Sequence, residues 1–154
     1  MYHMKQYYVS YGSYYGCDAG CNHLVGGRVP RGGVQLLNEV ERGFKHVTVK
    51  LVADYSGVSQ QVLIESLGLN RTTYNRRAKL GRLNQDESDK LYRFTEVLSG
   101  AIELFDGDKE AAKHWLQSPV KGLGERAPID MIKTQSGSEM VLRLIDRLED
   151  GVFS

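Results

Sequence analysis

The sequence predicts an all-α fold for most of this 154-residue chain. From Val34 onward the apolar residues recur at helical spacing, and no later segment alternates for long with the period of two that marks a strand. The helical segments also begin at Ser, Asn or Asp and often end at Gly, which are the residues that cap the two ends of a helix.

Four helices are predicted in the first half of this helical region, between residues 34 and 80. The first ends at Gly43, and the second covers residues 47–55. Ser59 is a good N-cap for the third helix, and Asn70 is a good N-cap for the fourth. These four helices are predicted to follow one another along the chain with only short connections.

The second half of the region contains longer helices with clear start signals. Asn84 with Glu87 three residues later resembles a capping box, and the long helix that follows should bury its apolar face. Asp108 caps the next helix, and Ser136 with Glu139 forms a second capping box that opens the last helix. The core face of that last helix is predicted to carry Met140, Val141, Leu144, Ile145 and Leu148.

Residues 1–33 differ from the rest of the chain because they hold six of the nine tyrosines and many glycines, with no helical period. One segment could pair as a strand, but the glycine content favours a partly disordered arm. Cys17, Cys21 and His23 lie in this arm, with Asp18 beside them. Their spacing is not a standard zinc pattern and no second pair follows, so two spare thiols are the simpler interpretation.

The composition is that of an ordinary globular protein, with 41% apolar and 25% charged residues and a formal net charge of +1. This charge excludes a uniformly basic nucleic-acid coat, although a local basic patch remains possible. No apolar run approaches the roughly 20 residues of a membrane span, and the N-terminus lacks the apolar core of a signal peptide. A cytoplasmic protein without membrane contact is predicted.

Residues 59–83, "SQQVLIESLGLNRTTYNRRAKLGRL", give a helix, a tight turn at Gly68 and a second helix. This is the helix-turn-helix layout, in which the second helix enters the major groove of DNA. Tyr74 and Ala78 lie four residues apart on that helix and should face the core. The predicted DNA-binding residues are Arg71, Thr72, Thr73, Asn75, Arg76, Lys79 and Arg82.

The residue types suit that role, because Arg can bridge guanine edges or phosphates and Asn can pair with adenine. No acid lies between Glu65 and Asp86, so the positive charge is not cancelled locally. A solvated cationic helix face is the alternative. Ile64 and Arg77 depart from the usual helix-turn-helix pattern, since a small and an apolar residue are more common at their positions. One subunit reads few base pairs, so a homodimer on palindromic operator DNA is expected.

No catalytic motif is present. His46 and His114 are isolated, and the chain has no nucleophile elbow, phosphate-binding loop or dinucleotide fingerprint. Asp86, Glu87, Asp89 and Glu96 are interpreted as partners of a helix N-terminus and as solvated surface. The chain is therefore predicted not to be an enzyme and to need no cofactor or metal.

The C-terminal segment carries a series of landmarks that resembles the toxin-binding domain of the Xre/MbcA/ParS-like antitoxins. They are Trp115, Leu116, Pro119, Pro128, Asp130, Thr134, Gly137, Val141 and the final Gly151-Val152-Phe153. The upstream helix-turn-helix is similar to the Xre-type part of the same family. The resemblance implies an antitoxin of a type II toxin-antitoxin module whose C-terminal region covers the active site of an NAD-consuming toxin, usually of the RES-domain class.

The apolar chain end is the most specific feature of this hypothesis. If Gly151 follows the helix cap, Val152 would pack back on Arg147 or Asp146, and both are charged. We therefore expect the end of the chain to occupy the toxin's NAD site. The predicted toxin-binding residues are Arg143, Arg147, Glu149, Gly151, Val152, Phe153 and Ser154.

The alternative is a stand-alone helix-turn-helix regulator whose C-terminal helices serve only dimerisation. For the antitoxin, the expected organisation comprises an N-terminal arm at 1–33, a helix-turn-helix region at 34–100 and a C-terminal toxin-binding region at 101–154.

Overall fold

A computed structural model describes residues 34–151, and the predictions made for residues 1–33 and 152–154 lie outside the described residues. Within that part, a 3₁₀ turn at Lys121–Leu123 separates α6 from α7. The α-helices are α1 Val34–Arg42, α2 Val47–Ser56, α3 Gln60–Ser66, α4 Arg71–Leu80, α5 Gln85–Leu104, α6 Lys109–Gln117, α7 Pro128–Met131 and α8 Gln135–Glu149.

The all-α prediction is confirmed over residues 34–151. The described part contains no strand, and its only β-type pairings are two isolated bridges, Lys45 with Arg82 and Val120 with Arg126. None of its helices is both long enough and apolar enough to cross a membrane.

Most of the predicted helix starts are confirmed by side-chain caps. The Asn70 side chain accepts a hydrogen bond from the Thr73 amide at 2.8 Å. Asn84 and Glu87 form both bonds of the capping box at the start of α5. These caps satisfy backbone N–H groups that have no partner within the helix.

The predicted capping box at Ser136 is wrong, because α8 begins after Thr134. The Thr134 hydroxyl accepts a hydrogen bond from the Gly137 amide at 3.1 Å, and Ser136 lies inside the first turn. The start is fixed by packing, since a Cβ on Gly137 would lie 2.1 Å from the Met131 carbonyl oxygen. Close approach to α7 therefore sets where α8 begins.

Helix α5 lies at the centre of the fold. Leu91, Phe94 and Leu98 on this helix are almost completely buried. Helices α1 and α2 pack on it from one half of the chain, and α6 and α8 pack on it from the other. The buried apolar residues of both halves form one continuous core.

Met140 was predicted in the core, and this is wrong. Its side chain is 48% exposed, whereas Val141, Leu144 and Ile145 are buried and Leu148 is partly buried. Leu142 is buried in addition, which shifts the buried stripe of α8 around the helix axis and leaves Met140 on the solvent side.

Helix α4 docks on the fold through few residues. Tyr74 is buried as predicted, but Ala78 is exposed, so the prediction that both face the core is half wrong. The second docking contact is made by Arg77, the residue that departs from the usual apolar pattern. Its Nε lies 2.9 Å from Oε1 and 2.8 Å from Oε2 of Glu87.

Glu87 is a partner of a helix N-terminus, as predicted, but its interpretation as solvated surface is wrong. Its side chain is only 5% exposed. Besides the ion pair, its Oε2 accepts a hydrogen bond from the Asn84 amide at 2.8 Å. One carboxylate therefore caps α5 and holds α4 against it, which explains why a cation can occupy a position that is usually apolar.

Gly43 provides a first test of this architecture. It has φ +81°, and a Cβ at this position would lie 2.0 Å from the Leu83 carbonyl oxygen. Gly81 has nearly the same φ, +78°, but a Cβ there would meet no atom within 4 Å. We expect Gly81→Ala to lower the free energy of unfolding by about 1 kcal/mol through backbone strain alone, and Gly43→Ala by about 3 kcal/mol or more because of the added clash. Urea unfolding of both variants measures the difference, and equal losses would contradict the close approach.

The ion pair between Arg77 and Glu87 gives a second prediction. Arg77→Ala should lower the free energy of unfolding by about 3 kcal/mol because it leaves a buried carboxylate without its cation. The matched control is Arg42→Ala, whose pair with Glu39 is solvent-exposed, with 71% of the Arg42 side chain accessible. That variant should lose less than about 1 kcal/mol. Equal effects in thermal or urea unfolding would show that the Glu87 carboxylate is hydrated in solution.

Candidate nucleic-acid interface and C-terminal helix

The turn between α3 and α4 is built by local hydrogen bonds and one glycine. Gly68 has φ +72°, a left-handed conformation that favours glycine. The Leu69 amide donates to the Ile64 carbonyl at 3.1 Å, and the Leu69 side chain is buried. The turn therefore closes on the core and presents α4 as a separate, outward-facing helix.

The outward side of α4 carries most of the predicted DNA-binding residues. Three are cations that form no ion pair with any described residue, and two are neutral hydrogen-bonding residues. The exposed set is Arg71, Thr72, Asn75, Arg76 and Lys79. Their charge is therefore available to an external anion, which is what binding to a phosphate backbone requires.

Two of the predicted residues differ from this set. Thr73 is only partly exposed. Arg82 lies beyond the end of α4, and its Nη1 donates a hydrogen bond of 2.7 Å to the Gly43 carbonyl. Arg82 therefore joins the end of the helix-turn-helix to the connection between α1 and α2.

A polar brace beneath α4 was not found from the sequence. The Gln60 side-chain amide donates to the Tyr74 hydroxyl at 2.6 Å, and the His46 ring lies 4.2 Å from the Tyr74 ring, centroid to centroid. Burial raises the pKa of Tyr74 and lowers the pKa of His46. Since His46 Nε2 is buried without a hydrogen-bond partner, the neutral ring is the favoured form. No sequence spacing links these three residues, because their contact depends on how α2, α3 and α4 pack.

The ends of α3 and α4 also form an open polar groove of about 480 Å³. Its lining includes the amide side chains of Gln60, Gln61, Asn70 and Asn75, together with Arg71 and the carboxylate of Glu65. Amide and guanidinium groups are the side chains that hydrogen-bond to base edges and phosphates. The exposed face of α4 therefore continues into a groove that is rich in amide groups but also carries one acid.

The C-terminal helix places its predicted site residues in two environments. Arg143 and Arg147 are exposed, whereas Glu149 is half-buried and its Oε1 has no hydrogen-bond partner. Burial raises the pKa of Glu149, and the neighbouring carboxylates Glu103, Asp146 and Asp150 raise it further. Glu149 therefore lies close to three other carboxylates near the end of α8, and Arg147 is the basic residue of the same last turn.

Gly151 ends α8 in the left-handed conformation, with φ +70°, and its amide donates to the Leu148 carbonyl at 3.2 Å. The remaining predicted toxin-binding residues, Val152, Phe153 and Ser154, lie outside the described residues. The thiols Cys17 and Cys21 and the neighbouring His23 also lie outside them. Among residues 34–151, no group of His, Cys, Asp and Glu side chains could hold a metal ion.

Comparison with known proteins links both regions to antitoxins. Residues 35–96 match the antitoxin Xre-like helix-turn-helix domain. Residues 100–151 match the antitoxin Xre/MbcA/ParS C-terminal toxin-binding domain.

Three relatives match most of the chain. Antitoxin Xre of Yersinia enterocolitica is 34% identical, covering 79% of this chain and 83% of the relative. Antitoxin Xre of Photorhabdus laumondii is also 34% identical, covering 77% and 79%. A protein named Prs ADP-ribosylating antitoxin, from a Sphingobium species, is 24% identical, covering 79% and 82%. The chain therefore belongs to the Xre/MbcA/ParS antitoxin family, with a helix-turn-helix domain followed by a toxin-binding domain.

Proposed function

We propose that this antitoxin neutralises an NAD-consuming toxin of the RES-domain class by covering the toxin's active site with α8 and residues 152–154. In the same proposal, a homodimer binds palindromic operator DNA through α4 and represses its own operon in the bacterial cytoplasm. The protein acts by binding alone and uses no cofactor, metal or catalytic residue of its own.

The observation that carries the proposal is the match of residues 100–151 to a toxin-binding domain that includes α8. The name of the Sphingobium relative refers to ADP-ribosylation. That reaction transfers ADP-ribose from NAD, so it supports an NAD-consuming partner.

The end of α8 supports a role for the tail. With Gly151 as the left-handed residue after the helix, a returning Val152 would contact Arg147, the third residue back from the cap, or Asp146 beside it. Arg147 is charged and exposed, and Asp146 is charged, so the helix offers Val152 no apolar partner there. A phenyl ring such as that of Phe153 gains about 2 kcal/mol from burial, and a toxin pocket can provide that gain.

The exposed face of α4 supports the DNA-binding part. Arg71, Arg76 and Lys79 are exposed on one helix and form no ion pair with described residues. A helix of this kind reads only a few base pairs, so two copies related by a twofold axis would read a palindrome.

The whole proposal is tested by expressing the neighbouring gene product of the same operon with and without this chain. We expect the neighbour to arrest growth and lower cellular NAD when expressed alone. Co-expression of this chain should restore both and yield a complex on purification. A neighbour that neither harms the cell nor binds this chain would leave a stand-alone DNA-binding regulator as the better account.

The DNA-binding part predicts a specific salt dependence. Each phosphate contact contributes about −0.9 to the slope of log K against log salt concentration. Arg76→Ala should weaken binding to the DNA upstream of the gene and lower the size of that slope by about 0.9 per subunit. Lys121→Ala is the matched control, since Lys121 is also an exposed cation but lies on the 3₁₀ turn of the other domain. Equal effects of the two variants in a fluorescence anisotropy titration would count against α4 as the DNA-binding helix.

The tail predicts a loss of toxin binding. Phe153→Ala should weaken the complex by about 30-fold, which corresponds to about 2 kcal/mol of lost burial. Deletion of residues 152–154 should have at least the same effect. Ser154→Ala is the control, because it keeps the phenyl ring and should bind like the natural chain. The readouts are the dissociation constant by calorimetry and residual NAD consumption, and full inhibition by the deletion variant would exclude the tail from the toxin's active site.

A further inference from the structure

Met140 is an isolated apolar side chain on the toxin-binding domain. Six large apolar side chains are markedly exposed among the described residues, and Met140 is the only one of them within residues 100–151. The other five are Val34, Leu37, Val47, Leu51 and Leu80. Methionine suits a contact site because its flexible thioether adapts to a partner surface.

Two arginines share the outward side of α8 with Met140. Arg143 follows by three residues and Arg147 by seven, so all three lie on one helix face that is about 10 Å long. The Arg143 side chain is 75% exposed, and its single contact with Glu139 is long, at 3.6 Å. Arg147 is exposed and forms no ion pair with any described residue. The face therefore joins one apolar residue to two exposed arginines, of which Arg143 is paired with Glu139.

We propose that Met140, Arg143 and Arg147, here called the Met140 face, dock into an apolar socket of the toxin that is bordered by carboxylates. This inference rests on the proposed function, because it assigns the surface that holds the same toxin. An amphipathic helix commonly binds a groove through residues at this spacing. The face lies within the matched toxin-binding domain, so it continues the interface that the family defines.

A second copy of this chain fits the Met140 face poorly. A twofold axis brings the same patch of both copies together, so an antiparallel pair of α8 helices would place four arginines in one contact. Glu139 is the nearest acid on that side, and it already contacts Arg143. The repulsion between like charges at close range disfavours this pairing.

Nucleic acid also fits the Met140 face poorly. Asp146 lies between the two arginines, Glu149 and Asp150 follow them, and Glu103 of α5 adds to these acids. A polyanion along α8 would meet these carboxylates beside the two arginines. A protein surface can match both signs, because it can present acids and bases a few ångströms apart.

The test measures the affinity of the full-length chain for the purified toxin, taken as the product of the neighbouring gene. Met140→Ala should weaken binding about tenfold and Met140→Asp about 100-fold, as expected for a side chain at a binding hot spot. Arg147→Glu should weaken binding about tenfold, with an effect that decreases at high salt.

Two matched controls lie outside the Met140 face. Leu37→Asp introduces the same charge at an apolar residue of similar exposure, 53% against 48%, on α1. Lys133→Glu reverses an exposed cation of the toxin-binding domain that lies before α8. Both controls should bind the toxin as the natural chain does, and circular dichroism checks that every variant is folded.

The outcomes separate this inference from the proposed function. If the natural chain binds the toxin and Met140→Asp and Arg147→Glu bind equally well, the Met140 face is excluded and the tail remains the proposed contact. If Met140→Asp changes only the oligomeric state, the face is a contact between copies of this chain, which overturns the inference. If the natural chain does not bind the neighbouring product, the proposed function fails and the inference fails with it.

Discussion

The Glu87 carboxylate is the contact on which the arrangement of the two binding regions depends. It begins α5 by accepting the Asn84 amide, and it holds α4 through Arg77 at 2.8 to 2.9 Å. From that point α5 continues for 20 residues without interruption and forms the base on which α6 and α8 pack. Helix α4 is therefore attached at the N-terminal end of a rigid element about 30 Å long, and α8 packs on the same element.

Helices α8 and α4 are held to the rest of the fold by different kinds of interaction. Helix α8 contributes Val141, Leu142, Leu144 and Ile145 to the core, so apolar burial holds it. Helix α4 buries Tyr74 alone and depends on polar partners, with Gln60 and His46 around Tyr74 and Glu87 beside Arg77. An exposed helix with little apolar burial can keep its outer side free for DNA. Its position is then set by hydrogen bonds and one ion pair, whose geometry is more directional than apolar packing.

Features that depend on neighbouring residues in the chain were predictable, and features that depend on packing were not. The caps at Asn70, Asn84 and Asp108 follow from side chains that reach only two or three residues. The exposure of Met140, by contrast, depends on which stripe of α8 meets α5, and helical spacing alone allowed Met140 or Leu142 in that stripe. The brace around Tyr74 joins three helices, so no local pattern reveals it. The family resemblance rests on the order of a few residues along the C-terminal segment, and that order can be read directly from the sequence.

The net charge of the whole chain is close to zero, but its two helical regions have net charges of opposite sign. Residues 34–100 contain ten Lys and Arg against eight Asp and Glu, whereas residues 101–154 contain seven against ten. The helix-turn-helix part therefore carries a net positive charge and the toxin-binding part a net negative charge, so the electrostatic field favours a polyanion at the helix-turn-helix. Arg143 and Arg147 are two exposed arginines one turn apart in this net-acidic part of the chain, and solubility does not require them there. Their neighbours Met140 and Asp150 make the outer side of α8 apolar, basic and acidic in turn, and a surface of such varied chemistry suits a partner that is itself a folded protein.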